Sequence, residues 1–254
     1  MLVKSSVLFF IELPLRHYWV SFEQETTDWY SVKSTEGAIQ PGFYGKGMTW
    51  SSSSSSVTAA VGDFSFDCLG SWGICSRGIT FSVWLKPFEH TGPHAYLGFG
   101  DDRFRIDLVY YDNHPSVSAS DKSWVILTDN GIQTAYPFNI QLNVWSQVAV
   151  SVNVSNRLLL FSVNGIKQKA QMVKIGQNGT SNGTLHIPYK IRATLHFGKA
   201  TGVNQTILYN YQGSIDEFRI FDRPTNESWL FRIYCKYKNH FNFLLIIDNS
   251  LMLM

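Results

Sequence analysis

Charge is scarce in this sequence: 16% of its 254 residues are Asp, Glu, Lys or Arg, below the usual quarter or so of a globular domain. Neither sign dominates, since 21 basic against 19 acidic residues leave a net +2. Nucleic-acid recognition needs clustered basic charge, so that class of partner is excluded. Cysteine is nearly missing. Three residues are too few for a disulfide-held miniprotein, and a chain of this length can bury a sufficient core without them. No apolar run is long enough to span a bilayer: 241–254 is apolar but short and contains Asp248, where about twenty residues are needed. Met1 to Leu15 holds one lysine and is interrupted by Glu12, which makes a weak secretory signal.

Several chemistries lack their residues. There is no Gly-x-Ser-x-Gly elbow for a serine nucleophile and no Gly-x-x-x-x-Gly-Lys phosphate loop. Glycoside hydrolysis needs two carboxyls flanking a bond, which strands supply at alternate positions. None of the seven glutamates begins such a series, and Asp216-Glu217 are adjacent, which on a regular strand sends them to opposite faces. The chain reads as inert catalytically.

What the chain does have is apolar alternation. Its 44% hydrophobic and 15% aromatic content rules out disorder for most of its length. Its polar residues are mainly neutral Ser, Thr, Asn and Tyr, the habit of many extracellular β domains. In GITFSVWLKP, Ile79, Phe81, Val83 and Leu85 share one face and Thr80, Ser82 and Lys86 the other. In WSQVAVSVNVS, valines 148 to 154 alternate with small polar residues. RLLLFSV meets Asn164-Gly165 and then IKQKAQMV, and Asn-Gly accepts the two positive φ angles of a hairpin turn. Further strands are expected at 95–98, 103–110, 124–127, 194–197 and 214–221, and one short helix at 226–234. Many short strands separated by turns predict an all-β sandwich or barrel. The six-serine run Ser51 to Ser56 reads as a solvated loop.

Five sequons (Asn153, Asn178, Asn182, Asn204 and Asn226) exceed what chance gives fifteen asparagines; Asn153 also falls opposite the valine face, where a glycan fits. Cys68 and Cys75 bracket the turn residues of CLGSWGIC. Doubling back there admits a local disulfide; zinc would need a second pair of ligands nearby. Cys235 is left over. His90 and His94 sit in HTGPH, where Gly92 and Pro93 exclude the helix that zinc enzymes use, so an exposed loop is expected. Asp101-Asp102 follow a glycine-rich turn and could offer oxygens to calcium. Alternation puts Asp216 on the face of Phe218 and Ile220, the expected core face, where a carboxylate needs either hydrogen bonds or a cation such as calcium.

Four blocks in order resemble the laminin-G-like, concanavalin A-like jelly-roll family, which includes the pentraxins: PGFYGKGM (41–48), CLGSWGICSRGITFSVWLKP (68–87), WSQVAVSVNVSNRLLLFSVNG (145–165), and LHFGKA with GSIDEFRIFDRPTNESWL (195–200 and 213–230). The resemblance sets the unit at 37–237, with a separate segment at 1–36 and the apolar tail at 238–254. It implies two antiparallel sheets face to face, one module of a larger secreted or cell-surface protein, and a bridge between Cys68 and Cys75. Family members bind glycans or protein partners, often with calcium. Asp216 occupies the closing-strand aspartate that can serve a structural calcium in related sandwiches, but the pentraxin calcium cluster has no counterpart here. The resulting expectation is a non-catalytic extracellular recognition module for a glycan or protein; a glycoside hydrolase or lyase, or a spacer without a ligand, are the alternatives.

Overall fold

A computed structural model describes residues 17–23, 37–51, 78–90, 92–100, 104–113, 120–129, 132–153, 158–172, 194–201, 206–209, 211–221 and 223–235. Within them the chain is an antiparallel two-sheet jelly-roll sandwich with one short helix near its C-terminal end. The strands are β1 (His17–Val20), β2 (Ala38–Pro41), β3 (Lys46–Trp50), β4 (Gly78–Pro87), β5 (His94–Gly100), β6 (Phe104–Asn113), β7 (Ser120–Asp129), β8 (Ile132–Phe138), β9 (Ser146–Asn153), β10 (Leu158–Val163), β11 (Ile166–Met172), β12 (Thr194–Phe197), β13 (Ala200–Thr201), β14 (Ile207–Leu208) and β15 (Gly213–Phe221).

The larger sheet runs β11-β10-β9-β4-β15-β3-β2, with β1 also paired to β15; the smaller runs β12-β5-β6-β7-β8. Strand β15 organises the larger sheet because its far edge is shared end to end. β3 pairs with Gly213 to Ile215, and β1 pairs with Phe218 to Phe221. Val20 (0% exposed) and Phe22 (1%) therefore enter the core from the segment that the sequence sets outside the 37–237 unit.

The alternating residues of β4 and β9 behave as their pattern requires. Ile79, Phe81, Val83, Leu85, Val148, Val150 and Val152 meet Phe99, Ile106, Leu108, Val125, Leu127 and Phe197 of the other sheet in one core between the layers. Asn164 and Gly165 have φ of 51° and 73°, the left-handed pair that the hairpin demands. The Asn164 amide donates to the Gln147 carbonyl and its Oδ1 accepts from the Gln147 amide, both at 2.8 Å, which pins the turn to β9.

A second apolar cluster lies outside the larger sheet. Helix α1 (227–235) places Leu230 and Ile233 on Trp84, Ala149, Leu160 and Phe221, with Trp229 and Tyr234 beside them. These four helix positions fall on one face at the helical spacing. A third cluster coats the outside of the smaller sheet: Ala95, Val109, Tyr111, Trp124 and Ile126 under Ala200 of β13 and Leu208 of β14.

Candidate functional site

Asp216 stands at a β-bulge. The register between β15 and β4 runs Ile215 to Leu85 and Asp216 to Trp84, then slips and resumes at Arg219 to Ser82. Two residues thus oppose one, and Glu217 takes the left-handed φ of 50° that a bulge accommodates. The slip corrects the expected facing. Ile215, Phe218 and Ile220 enter the core between the sheets, whereas Asp216 pairs with Trp84 of the outer cluster.

There its carboxylate is 0% exposed beneath the turn between β2 and β3. Oδ2 accepts from the Tyr44 amide at 2.8 Å, Oδ1 accepts from the Glu217 amide at 2.7 Å, and the Phe43 amide also donates. Gly42 makes this possible, since a Cβ there would lie 2.5 Å from Oδ2 and 2.7 Å from the Gly47 nitrogen. Burial pushes the Asp216 pKa up to about 8, the amide of Tyr44 opposing and the charge of Glu217 reinforcing that rise. The described groups that hydrogen-bond the carboxylate are N–H donors, which do not supply the oxygen lone pairs a calcium ion requires. Among the described residues no three His, Cys, Asp or Glu side chains gather in a way that could hold a metal.

His94 is not in an exposed loop: it begins β5 and is 2% exposed. Burial lowers its pKa to about 4, against the carbonyl of Gly92, to which Nδ1 lies at 3.1 Å. Its ring stacks on Tyr110 with centroids 4.9 Å apart and meets Tyr96 edge-on at 5.2 Å. His90 stacks on the same Tyr110 at 4.1 Å. The HTGPH segment is therefore an aromatic plug at one end of the sandwich, and Tyr96 completes it by hydrogen bonding Ser123 at 2.8 Å. The missed signal is that His94 alternates with the apolar residues of the strand it starts.

The outer face of the smaller sheet gathers polar groups that the sequence reading left out. One cross-strand row is His196, Gly98, Asp107, Ile126 and Ala135; the next contains Gly100, Arg105, Thr128 and Gln133. Arg105 Nε donates to both oxygens of Asp107, at 3.2 and 3.0 Å, and Asp107 is 0% exposed. Gly98 vacates the space this pair uses, because a Cβ there would lie 2.7 Å from Asp107 Oδ1 and 3.0 Å from Arg105 Nη2. Next to it, His196 is partly buried, and its Nδ1 has no hydrogen-bond partner among the described residues. Burial, then the charges of Lys199 and Arg105, lower its pKa to about 4, so it is neutral at pH 7. Gln133 Nε2 reaches Thr128 Oγ1 at 3.4 Å, and the apolar patch with Trp124 and Tyr111 continues the face. Alternation within β6 was the legible half of this site, since it places Arg105 and Asp107 side by side.

The sequence profile of the concanavalin A-like lectin/glucanases superfamily matches residues 51–230. The chain belongs to that superfamily. No curated protein sequence matches it. Among solved structures it is similar to the binding domain of botulinum neurotoxin serotype D (TM-score 0.58, 14% identity, 85% of this chain and 50% of that one). It is also similar to the binding domain of Paraclostridial mosquitocidal protein 1 (0.56, 16%, 82% and 48%). A third is the botulinum neurotoxin DC binding domain in complex with rat synaptotagmin II (0.55, 14%, 82% and 47%). The chain spans about half the length of each of these toxin chains, and at such identities the likeness is one of fold.

In the rows quoted above, the smaller sheet's outer face has one carboxylate, Asp107, already held by Arg105, where two-carboxyl hydrolysis requires a pair. The larger sheet's outer face is occupied by α1 and the 42–45 turn, with Phe43 stacked on Trp84 at 3.6 Å. Two sequons fall on described residues: Asn153 is half-buried at the end of β9, and Asn226 is exposed just before α1. Cys235 ends α1, partly buried and with no disulfide partner among the described residues. Cys68, Cys75, Asp101, Asn178, Asn182, Asn204 and the serine run beyond Ser51 lie outside the described residues.

Proposed function

We propose that the chain is a non-catalytic recognition module that works outside the cell and binds a glycan or protein ligand across the outer face of the smaller sheet. The observation that carries this reading is the Arg105–Asp107–His196 group. A charged pair with a fully buried carboxylate on the outward side of a sheet adds nothing to the core between the layers, and such pairs are weak stabilisers once desolvation is counted. Arg105, Gln133 and His196 stay partly exposed beside the buried carboxylate, and directional hydrogen bonding from such groups is what recognition of sugars and polar peptides uses. Membership of a lectin and glucanase superfamily supports the glycan arm. The toxin binding domains of this fold, one in complex with synaptotagmin II, support the protein arm. Fold alone does not choose between them.

The backbone amides around Asp216 support its role as an anchor for the 42–45 turn rather than as a calcium ligand. The test of the whole reading is a screen of the full chain, secreted from a eukaryotic host, against arrayed glycans and cell-surface ectodomains, with released sugars assayed in parallel. Saturable binding without product is expected. Hydrolysis of an arrayed glycan would replace this reading with the glycosidase alternative, and neither binding nor turnover would favour a spacer.

A further inference from the structure

Asn226 is doubly placed, and its two roles use different atoms. It is the N-cap of α1: Oδ1 accepts from the Trp229 amide at 3.0 Å, and its own carbonyl accepts from Leu230 at 3.1 Å. It also opens the sequon Asn226-Glu227-Ser228, all three residues of which are exposed. The residues before it are fixed to the sheet. Ser151 Oγ accepts from the Thr225 amide at 2.8 Å, and Thr80 Oγ1 bonds the Arg223 carbonyl at 2.9 Å and Thr225 Oγ1 at 3.1 Å. The asparagine is thus held at a rigid corner and faces solvent. Asn153 is the contrast: it is half-buried in the ladder between Gly78 and Leu158, and a Cβ on Gly78 would already lie 3.1 Å from its Cα.

We propose that Asn226 carries an N-linked glycan and keeps its capping bond while doing so, which makes the outer face of the larger sheet the glycan-bearing side of the molecule. This rests on the extracellular reading above. In the transfer, Nδ2 attacks the anomeric carbon of a lipid-pyrophosphate-linked oligosaccharide. The new bond is N–C, the C–O bond to the pyrophosphate breaks, the lipid pyrophosphate leaves, and Nδ2 gives up one proton. Oδ1 remains a carbonyl acceptor, so the amide of Trp229 loses nothing. The glycan then projects from the side opposite the Arg105–Asp107 face.

The test is glycopeptide mapping of the full chain secreted from a eukaryotic host. Trypsin does not cut between Arg223 and Pro224, so the sequon sits in peptide 220–232. That peptide is expected to carry a hexosamine-rooted glycan, and amidase release should return it with aspartate at position 226. The variant Ser228→Ala should lose the glycan and keep its Tm, and Asn226→Asp should do the same because aspartate still caps. Asn226→Ala should lose both, with Tm lower by a few degrees. An unmodified 220–232 peptide alongside glycans on other sequons overturns the proposal but leaves the extracellular reading standing. A chain that enters the medium without glycan at any sequon overturns the proposal too. A chain retained in the cytosol and unglycosylated overturns both.

Discussion

A buried carboxylate that accepts backbone amides is costly to remove because its partners stay behind. Asp216→Ala would leave the Tyr44 and Glu217 amides unsatisfied in a site closed to water. We expect a loss of about 3 kcal/mol by urea unfolding, with no difference in wild-type Tm between calcium and chelator attributable to this residue. His94 sets a pH dependence of opposite sign to that of Asp216. Its folded pKa near 4 lies below the ordinary 6.5, so between those values the unfolded chain binds a proton that the native one refuses, and stability falls as pH falls. Asp216, raised from 3.8 to about 8, makes stability fall as pH rises through that range. Replacing His94 by Phe keeps an aromatic ring against Tyr110 and removes the acid-side loss. Unfolding at pH 7 and pH 5 should show the variant about 2 kcal/mol less sensitive to acidification than wild type. The sequence marked both residues as notable but misjudged their settings. Counting by twos along β15 does not reveal that the bulge at Glu217 inserts a residue, and a Gly-Pro pair before His94 looks like a loop although the strand starts one residue later.

At the scale of elements, local pattern carried most of the assignment. β4 and β9 are regular alternating segments, and the Asn164-Gly165 turn and the Asn226-capped helix have local causes. The strands that went unread include the short pieces β1 to β3 and the edge strand β8. β1, β2 and β3 have only four or five residues each, and β8 contains Pro137, which an edge strand tolerates. Their identity comes from what they pair with, so no window along the chain reveals it. β1 matters most, because Val20 and Phe22 reach the core from outside the 37–237 unit, with Phe22 5.5 Å from Phe197. A chain starting at Gly37 is expected to be less stable than one starting at His17 by about 3–5 kcal/mol, the cost of emptying those two positions. Equal denaturation midpoints would show that β1 is dispensable.

For the whole molecule, fold class was legible because alternation and turn spacing are repeated along the chain. The ligand face was only half legible. Arg105 and Asp107 are two residues apart, but His196 joins them only because β12 sits beside β5, a consequence of strand order. The two outer faces are unlike in consequence. The larger sheet's is closed by α1, the 42–45 turn and their aromatic contacts; the smaller sheet's is covered in part by β13 and β14 and leaves Arg105, Gln133 and His196 partly exposed. If the smaller sheet's outer face is where recognition occurs, changes there should cost affinity without costing fold. The most direct test is a titration of wild type and the double variant Gln133→Ala, His196→Ala against the tightest ligand found in the array screen, with Tm recorded for both. The account predicts at least a tenfold loss of affinity, worth about 1.4 kcal/mol, at a Tm within a few degrees of wild type. Equal affinity in the two proteins would contradict it and move the binding site elsewhere on the sandwich.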